Sequence, residues 1–470
     1  MSTDTPETTS PERASSFSLD VEERSVSDAV RSWVYRLRSG DPGALPSVIG
    51  LIVLGIIFQQ VSSRFISALN FGNIPGQGAY IAVIALGLVF VLLLGEIDLS
   101  AGTAGGVCAG FAAVGVFNGN LHDGIPSLLY WALVVGMVGS IGLAIWLKVY
   151  PAAVVILIGL VLVVTNLTQH LVLGLVAAVC IGAAIGVFNG YMVAKVGIPS
   201  FVVTLALFLA WQGVTQFALA GQPIATSQYN LWFKLAYGNL SPLVSWIFVI
   251  VTVGSFIAYT VLKSVSAARN QLSRDSLQLV LFRGGILALA AIVITILANR
   301  DRNPSPFQVA HGIPVPAAIA ITLMILCTIA LSKTTWGRHL YATGGNAEAA
   351  RRAGIDVTLI RVSAFTLCSM FGALGGILLA SQQSSVSLDL GAGNVLLFSV
   401  AAAVIGGTSL FGGRGKPRDA ILGALVIVII PNGLGLKTSI NPQWQSVITG
   451  IVLLLAAAVD AISRRRAARS

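Results

Sequence analysis

Glu96 and Asp98 stand two residues apart in GEIDLSAG (95–102), at a narrow break between two long apolar runs. A carboxylate at such a break can hold a proton or a cation, because charge near hydrocarbon is kept only where something compensates it. The same residues have a plainer use. Asp98 or Ser100 can cap the helix that starts near Leu99 by accepting its first free N–H groups. Gly95 and Gly102 on either side suggest that the backbone turns sharply here. On the residues alone both readings stand.

A second candidate is GGTSLFGGRGKPRD (406–419), glycine-rich and followed by basic residues. It invites comparison with a phosphate loop, and the comparison fails. Lys416 is followed by Pro417, and Leu410 stands where the first glycine of such a loop belongs. The pair Lys437–Thr438 is preceded by Leu436 and fails as well. The chain holds no nucleotide-binding motif and no soluble segment large enough for one. If transport through it uses ATP, a second polypeptide must hydrolyse it.

The third candidate is the stretch 333–361, the most charged segment between two long apolar runs. Lys333, Arg338, Arg351, Arg352 and Arg361 face Glu348 and Asp356. Its middle reads as a short helix. Asn346 caps it, Glu348 lies in its first turn, Ala349 and Ala350 follow, Arg351 and Arg352 lie in its last turn, and Gly354 makes the left-handed stop. That order suits the caps and the macrodipole at both ends. A simple connector between two spans needs only about six residues. The stretch is thus a long solvated connector or a docking element for a soluble partner.

The four cysteines (Cys108, Cys180, Cys327, Cys368) each lie alone in apolar segments, as small packing residues do. The four histidines have no second His or Cys nearby, so no metal site is readable and no cofactor is expected. Amides and rings are spread thinly through the apolar runs, among them Trp131, Trp146, Trp211, Gln212, Asn166, Asn189, Gln382 and Asn432. They would suit a sugar path, and interface belts or helix–helix hydrogen bonds explain them as well.

The elements that must position these residues are helices in a membrane. Of 470 residues, 56% are apolar and 10% charged, against about 25% charged in soluble domains. Apolar runs fall at 45–61, 74–94, 98–118, 128–149, 151–168, 171–194, 198–220, 243–263, 282–299, 314–332, 362–381, 394–411, 419–436 and 444–462. Each is near the ~17–25 residues that cross a bilayer. The expected fold is all-α and polytopic, with about 14 transmembrane helices and both termini cytoplasmic. With the N-terminus inside, external loops hold only Arg64, Lys234, Arg300, Arg302 and Lys437 of the 28 Lys and Arg. That bias also puts 333–361 in the cytoplasm. The net charge of +10 is accordingly a topology signal, not one for nucleic acid. Residues 1–43 are polar and acidic, lack the apolar core of a secretory signal, and read as a disordered cytoplasmic tail. Residues 44–463 form the membrane domain, and 464–470 a basic cytoplasmic tail. Glycines four apart (Gly102, Gly106, Gly110; Gly182, Gly186, Gly190) favour close helix crossings.

Five stretches carry a likeness to a known family: GEIDLSAG (95–102), GIPSFVVTLALFLAWQGV (197–214), WGRHLYATGGNAEAARRAGIDV (336–357), VIGGTSLFGGRG (404–415) and PNGLGL (431–436). In that order they resemble the permease subunit of bacterial ABC sugar importers, in the ribose/xylose/galactose group. The resemblance implies a ten-helix core, with 128–168 and 243–299 as two inserted helix pairs, a feature of the xylose-type permease. It implies a pathway for a monosaccharide, with a pentose such as xylose foremost. It also implies a cytoplasmic ATPase that docks at Asn346, Glu348, Ala349, Ala350, Arg351 and Gly354. A sugar-binding protein outside, a second permease copy and the plasma membrane of a bacterium complete the expected partners. Glu96, Asp98, Ser100, Thr408 and Ser409 are the candidates for the substrate pathway. One departure stands out: LLFSVAA (396–402) replaces the family's acidic stretch before the GGTS motif, and Asp389 is the only acid nearby. The alternatives are an ABC permease for a branched-chain amino acid or nucleoside, and an ion-coupled carrier working through Glu96 and Asp98.

Overall fold

The computed structural model describes residues 43–270, 274–302 and 311–437, the short piece 23–28, and scattered positions elsewhere. Most of the acidic tail, most of the last apolar run and the basic C-terminal residues lie outside the described residues.

In chain order the helices are α1 (Leu45–Val61), α2 (Ala68–Gln77), α3 (Ala79–Leu93), α4 (Ala101–Phe117), α5 (Ser127–Trp146), α6 (Tyr150–Val164), α7 (Leu171–Tyr191) and α8 (Ser200–Ala218). They continue as α9 (Asn230–Tyr237), α10 (Pro242–Arg269), α11 (Leu277–Asn299), α12 (Val315–Lys333), α13 (Thr335–Gly345), α14 (Ala347–Arg352), α15 (Val357–Gln382), α16 (Asn394–Gly406) and α17 (Pro417–Gly435). Among the described residues, nine helices are long and apolar enough to cross a membrane, and four shorter apolar ones accompany them. The chain is an all-α, multi-pass membrane protein.

Each of the first thirteen apolar runs is matched by helix among the described residues. The differences lie at the ends. The second run is α2 and α3 stacked end to end around Gly78, and the third starts at Ala101 rather than near Leu99. The break near 150 is a tight turn in which Lys148 takes φ +60. A second left-handed residue, Asn166 (φ +57), turns the chain from α6 into a 3-10 turn ahead of α7.

The chain divides into two compact units. One comprises residues 247–294 with residues up to 38, and so holds most of α10 and α11. Within it Arg283 pairs with Asp275 at 3.0 Å, and Glu23–Arg24 run parallel to Arg274–Asp275. The second expected insertion is thus a unit of its own.

The other unit comprises residues 39–246 and 295–470. Helix α15 is its axis, packed on α7, α3 and α4. These helices are apolar on every side and largely buried, as interior helices are. Glycine makes the crossings possible. A Cβ at Gly186 would lie 2.5 Å from the Phe365 carbonyl of α15, so any larger residue would force the helices apart. The first expected insertion, α5 and α6, packs against α7.

Candidate functional site

The 333–361 stretch folds as the residue order demands. Asn346 Oδ1 accepts from Ala349 N at 2.9 Å, which satisfies a free donor of α14. Glu348 pairs with Arg351 (2.7 Å) and Arg352 (3.2 Å) along one exposed face. Gly354 takes φ +84, and Ile355 N donates back to the Ala350 carbonyl at 3.1 Å. This is the left-handed helix stop. Ala350 faces inward and is buried, while Ala349 is exposed. Asp356 then caps α15 by accepting from Leu359 N.

A further helix, α13, precedes this one, capped by the Thr334 hydroxyl on Gly337 N at 3.0 Å. Its Trp336 donates to Ser363 Oγ at 2.7 Å. Its Tyr341 donates to the Gly415 carbonyl, also at 2.7 Å, within the glycine-rich loop. Burial, and then the nearby Asp419 carboxylate, push the Tyr341 phenol above its usual pKa. It therefore remains a donor across the physiological range.

The glycine-rich loop spans the gap between α16 and α17. Ser409 N donates to the Arg414 carbonyl (2.8 Å), and Ser409 Oγ accepts from Phe411 N (3.1 Å). Thr408 Oγ1 lies 3.4 Å from Asp419 Oδ2, and that carboxylate also accepts from Lys416 N at 2.8 Å. Thr408 and Ser409 are buried, and Phe411 at the tip is 76% exposed. Gly412 and Gly413 take φ +86 and +72, which only glycine adopts freely. Their backbone meets the end of α3, where Gly413 N donates to the Leu93 carbonyl at 2.8 Å.

The acidic break lies at this same end of the bundle. Glu96 pairs with Arg361 of α15 at 3.3 Å, both side chains mostly covered. Asp98 is fully buried and accepts from Ser100 N (2.9 Å) and Ser100 Oγ (2.7 Å), so it closes the turn just ahead of α4. Asn189 of α7 donates to Ser100 Oγ at 3.0 Å. Ser200 and Thr204 of α8 clasp Ile97 by its N–H and carbonyl.

The structure thus brings Glu96, Asp98, Ser100, Thr408 and Ser409 to the end of the bundle that carries α14. Arg361, Tyr341 and Gly344 complete this region, and the sequence reading missed their part in it. Their partners are 265, 74 and 251 residues away, so no local spacing pointed to them. Asn432 lies elsewhere, on α17. It exchanges hydrogen bonds with Asn70 (2.8 and 2.9 Å) and donates to Gln77 (3.1 Å).

The model of the family described as branched-chain amino acid transport system, permease component, matches residues 152–457. The xylose transport system permease protein of Haemophilus influenzae is 27% identical over 434 residues, which is 92% of this chain and 100% of that protein. The Escherichia coli protein of the same name is 28% identical over 89% of this chain and 92% of its own length. The ribose import permease protein of Escherichia coli is 25% identical over 88% of this chain and 92% of its own. No solved structure matches the chain.

Proposed function

Since the chain belongs to the family of branched-chain amino acid transport system permease components, we propose that it is the membrane subunit of an ATP-driven sugar importer in a bacterial plasma membrane. The observation that carries the cargo class is the similarity to xylose and ribose permeases over 88–92% of this chain and 92–100% of theirs. A pentose such as xylose is the foremost cargo. A branched-chain amino acid or a nucleoside is the comparator.

Energy enters through α14. A six-residue helix capped at both ends, with its charges paired along its own exposed face, is a preformed surface for a soluble partner. That partner is a separate cytoplasmic ATPase, which hydrolyses ATP on the permease's behalf. A binding protein outside delivers the sugar, and a second copy of this chain completes the pore. Asp98, Ser100, Thr408 and Ser409 stand at the inner end of the pathway. The ion-coupled carrier is the second reading: Arg361 compensates Glu96, whereas Ser100 engages only one of the two carboxylate oxygens of Asp98.

The test is uptake into vesicles that contain the permease, its ATPase and its binding protein. Labelled xylose should accumulate with ATP inside and without an ion gradient. Accumulation of leucine or a nucleoside in its place overturns the cargo. Accumulation driven by a pH gradient without ATP overturns the class.

A further inference from the structure

Helix α14 touches little of the membrane domain by itself. Of its six residues only Ala350 is buried, and Glu348 uses its two oxygens on Arg351 and Arg352 of the same helix. A push on α14 must reach the spanning helices through neighbouring segments, and three direct ties are available. Tyr341 holds the glycine-rich loop at Gly415 (2.7 Å). That loop holds the end of α3 through Gly413 N and the Leu93 carbonyl (2.8 Å). Arg361, five residues past the Asp356 cap of α15, holds Glu96 in the α3–α4 turn (3.3 Å). The fit between them is close: a Cβ at Gly344 would collide with the Leu93 carbonyl, and one at Gly412 would lie 2.8 Å from the Gly344 carbonyl.

From this we infer that Glu96 and Arg361 are positioning residues for energy coupling. Their ion pair, with the Tyr341 and Gly413 hydrogen bonds, transmits movement of the docking segment to the ends of α3, α4, α16 and α17. The GEID turn and the GGTSLFGGRG loop thereby belong to the transmission, at the same inner end of the pathway where Asp98, Ser100, Thr408 and Ser409 stand. The ion pair is the one tie between two side chains in this set, so it is the one that substitution can break and rebuild. Its partly covered setting matters. A fully exposed pair contributes little and is screened by salt, whereas a mostly covered pair holds its geometry. The inference rests on α14 being the ATPase docking site.

The test is the ratio of ATP hydrolysed to solute accumulated, measured with the full permease, its ATPase and its binding protein in vesicles. Glu96→Gln and Arg361→Gln should each raise that ratio about fivefold or more, the scale of a typical coupling free energy, at normal insertion. The exchange Glu96→Arg with Arg361→Glu should bring it back toward wild type, which assigns the effect to the pair and not to either residue alone. Cargo affinity of the binding protein–permease complex should stay unchanged. An unchanged ratio in both single variants overturns the inference, and so does a double exchange as poorly coupled as the singles. If the wild-type permease gives no stimulation of its ATPase, the docking reading fails first, and the transmission reading with it.

Discussion

Asp98 shows how one carboxylate can serve structure where its setting suggests transport. It is fully buried, and it accepts two hydrogen bonds from Ser100. Removing the side chain leaves the Ser100 N–H and hydroxyl short of a partner in the core, a cost of about 1–3 kcal/mol. Asn keeps the accepting oxygen. Asp98→Asn is expected to retain uptake and thermal stability near wild type, while Asp98→Ala melts several degrees lower in detergent. Loss of uptake in Asp98→Asn at unchanged melting temperature would instead make the carboxylate part of the pathway. The caps at Asn346 and Gly354 were legible in the sequence because capping is decided within four residues. The pairing of Glu96 with Arg361 was not, because 265 residues of chain separate them.

At the scale of elements, the glycine stripes set how closely helices approach, and the structure separates members that the spacing treats alike. A Cβ at Gly182 or Gly186 would meet the backbone of α15, whereas at Gly110 the nearest atom is 4.0 Å away, on Thr215. Gly186→Val is expected to cost about 1–3 kcal/mol by overpacking, read as aggregation or loss of the monodisperse peak on size exclusion. Gly110→Ala should behave as wild type. Equal behaviour of the two variants would refute the close α7–α15 crossing. Spacing shows that small residues share a face, and only the neighbouring helix shows which of them it touches. Helix α13 escaped the sequence reading for a related reason. Its run TWGRHLYATGG carries two terminal glycines and several weak helix formers, and it is held by Trp336, Tyr341 and the Thr334 cap.

For the whole molecule, the distribution of Lys and Arg gives the expected orientation, with 333–361 inside. A single cysteine at Gly345, or at Ala349 on the exposed face of α14, is expected to react with a membrane-impermeant maleimide only in inverted vesicles. A cysteine at Gln222 should react only in intact cells. Labelling of the α14 position from outside would invert the topology and remove the docking reading. The two helix pairs expected as insertions also part ways at this scale. Helices α5 and α6 join the packing around α7, while most of α10 and α11 falls in a separate unit. Both pairs read alike as sequence, since hydropathy records length and apolarity but not which surface meets protein.

The order of residues is enough to establish that the chain spans a membrane many times and that a capped helix sits between Lys333 and Arg361. These follow from properties that act locally: the cost of charge in hydrocarbon, and the free N–H and carbonyl groups at helix ends. Only the folded chain places α15 at the axis. Only there do the GEID turn, the GGTSLFGGRG loop and the 333–361 segment meet at one end, because those contacts join residues 74 to 320 positions apart. No periodicity carries that information. It comes from close packing around glycine crossings, which brings distant helix ends within hydrogen-bond reach of one another.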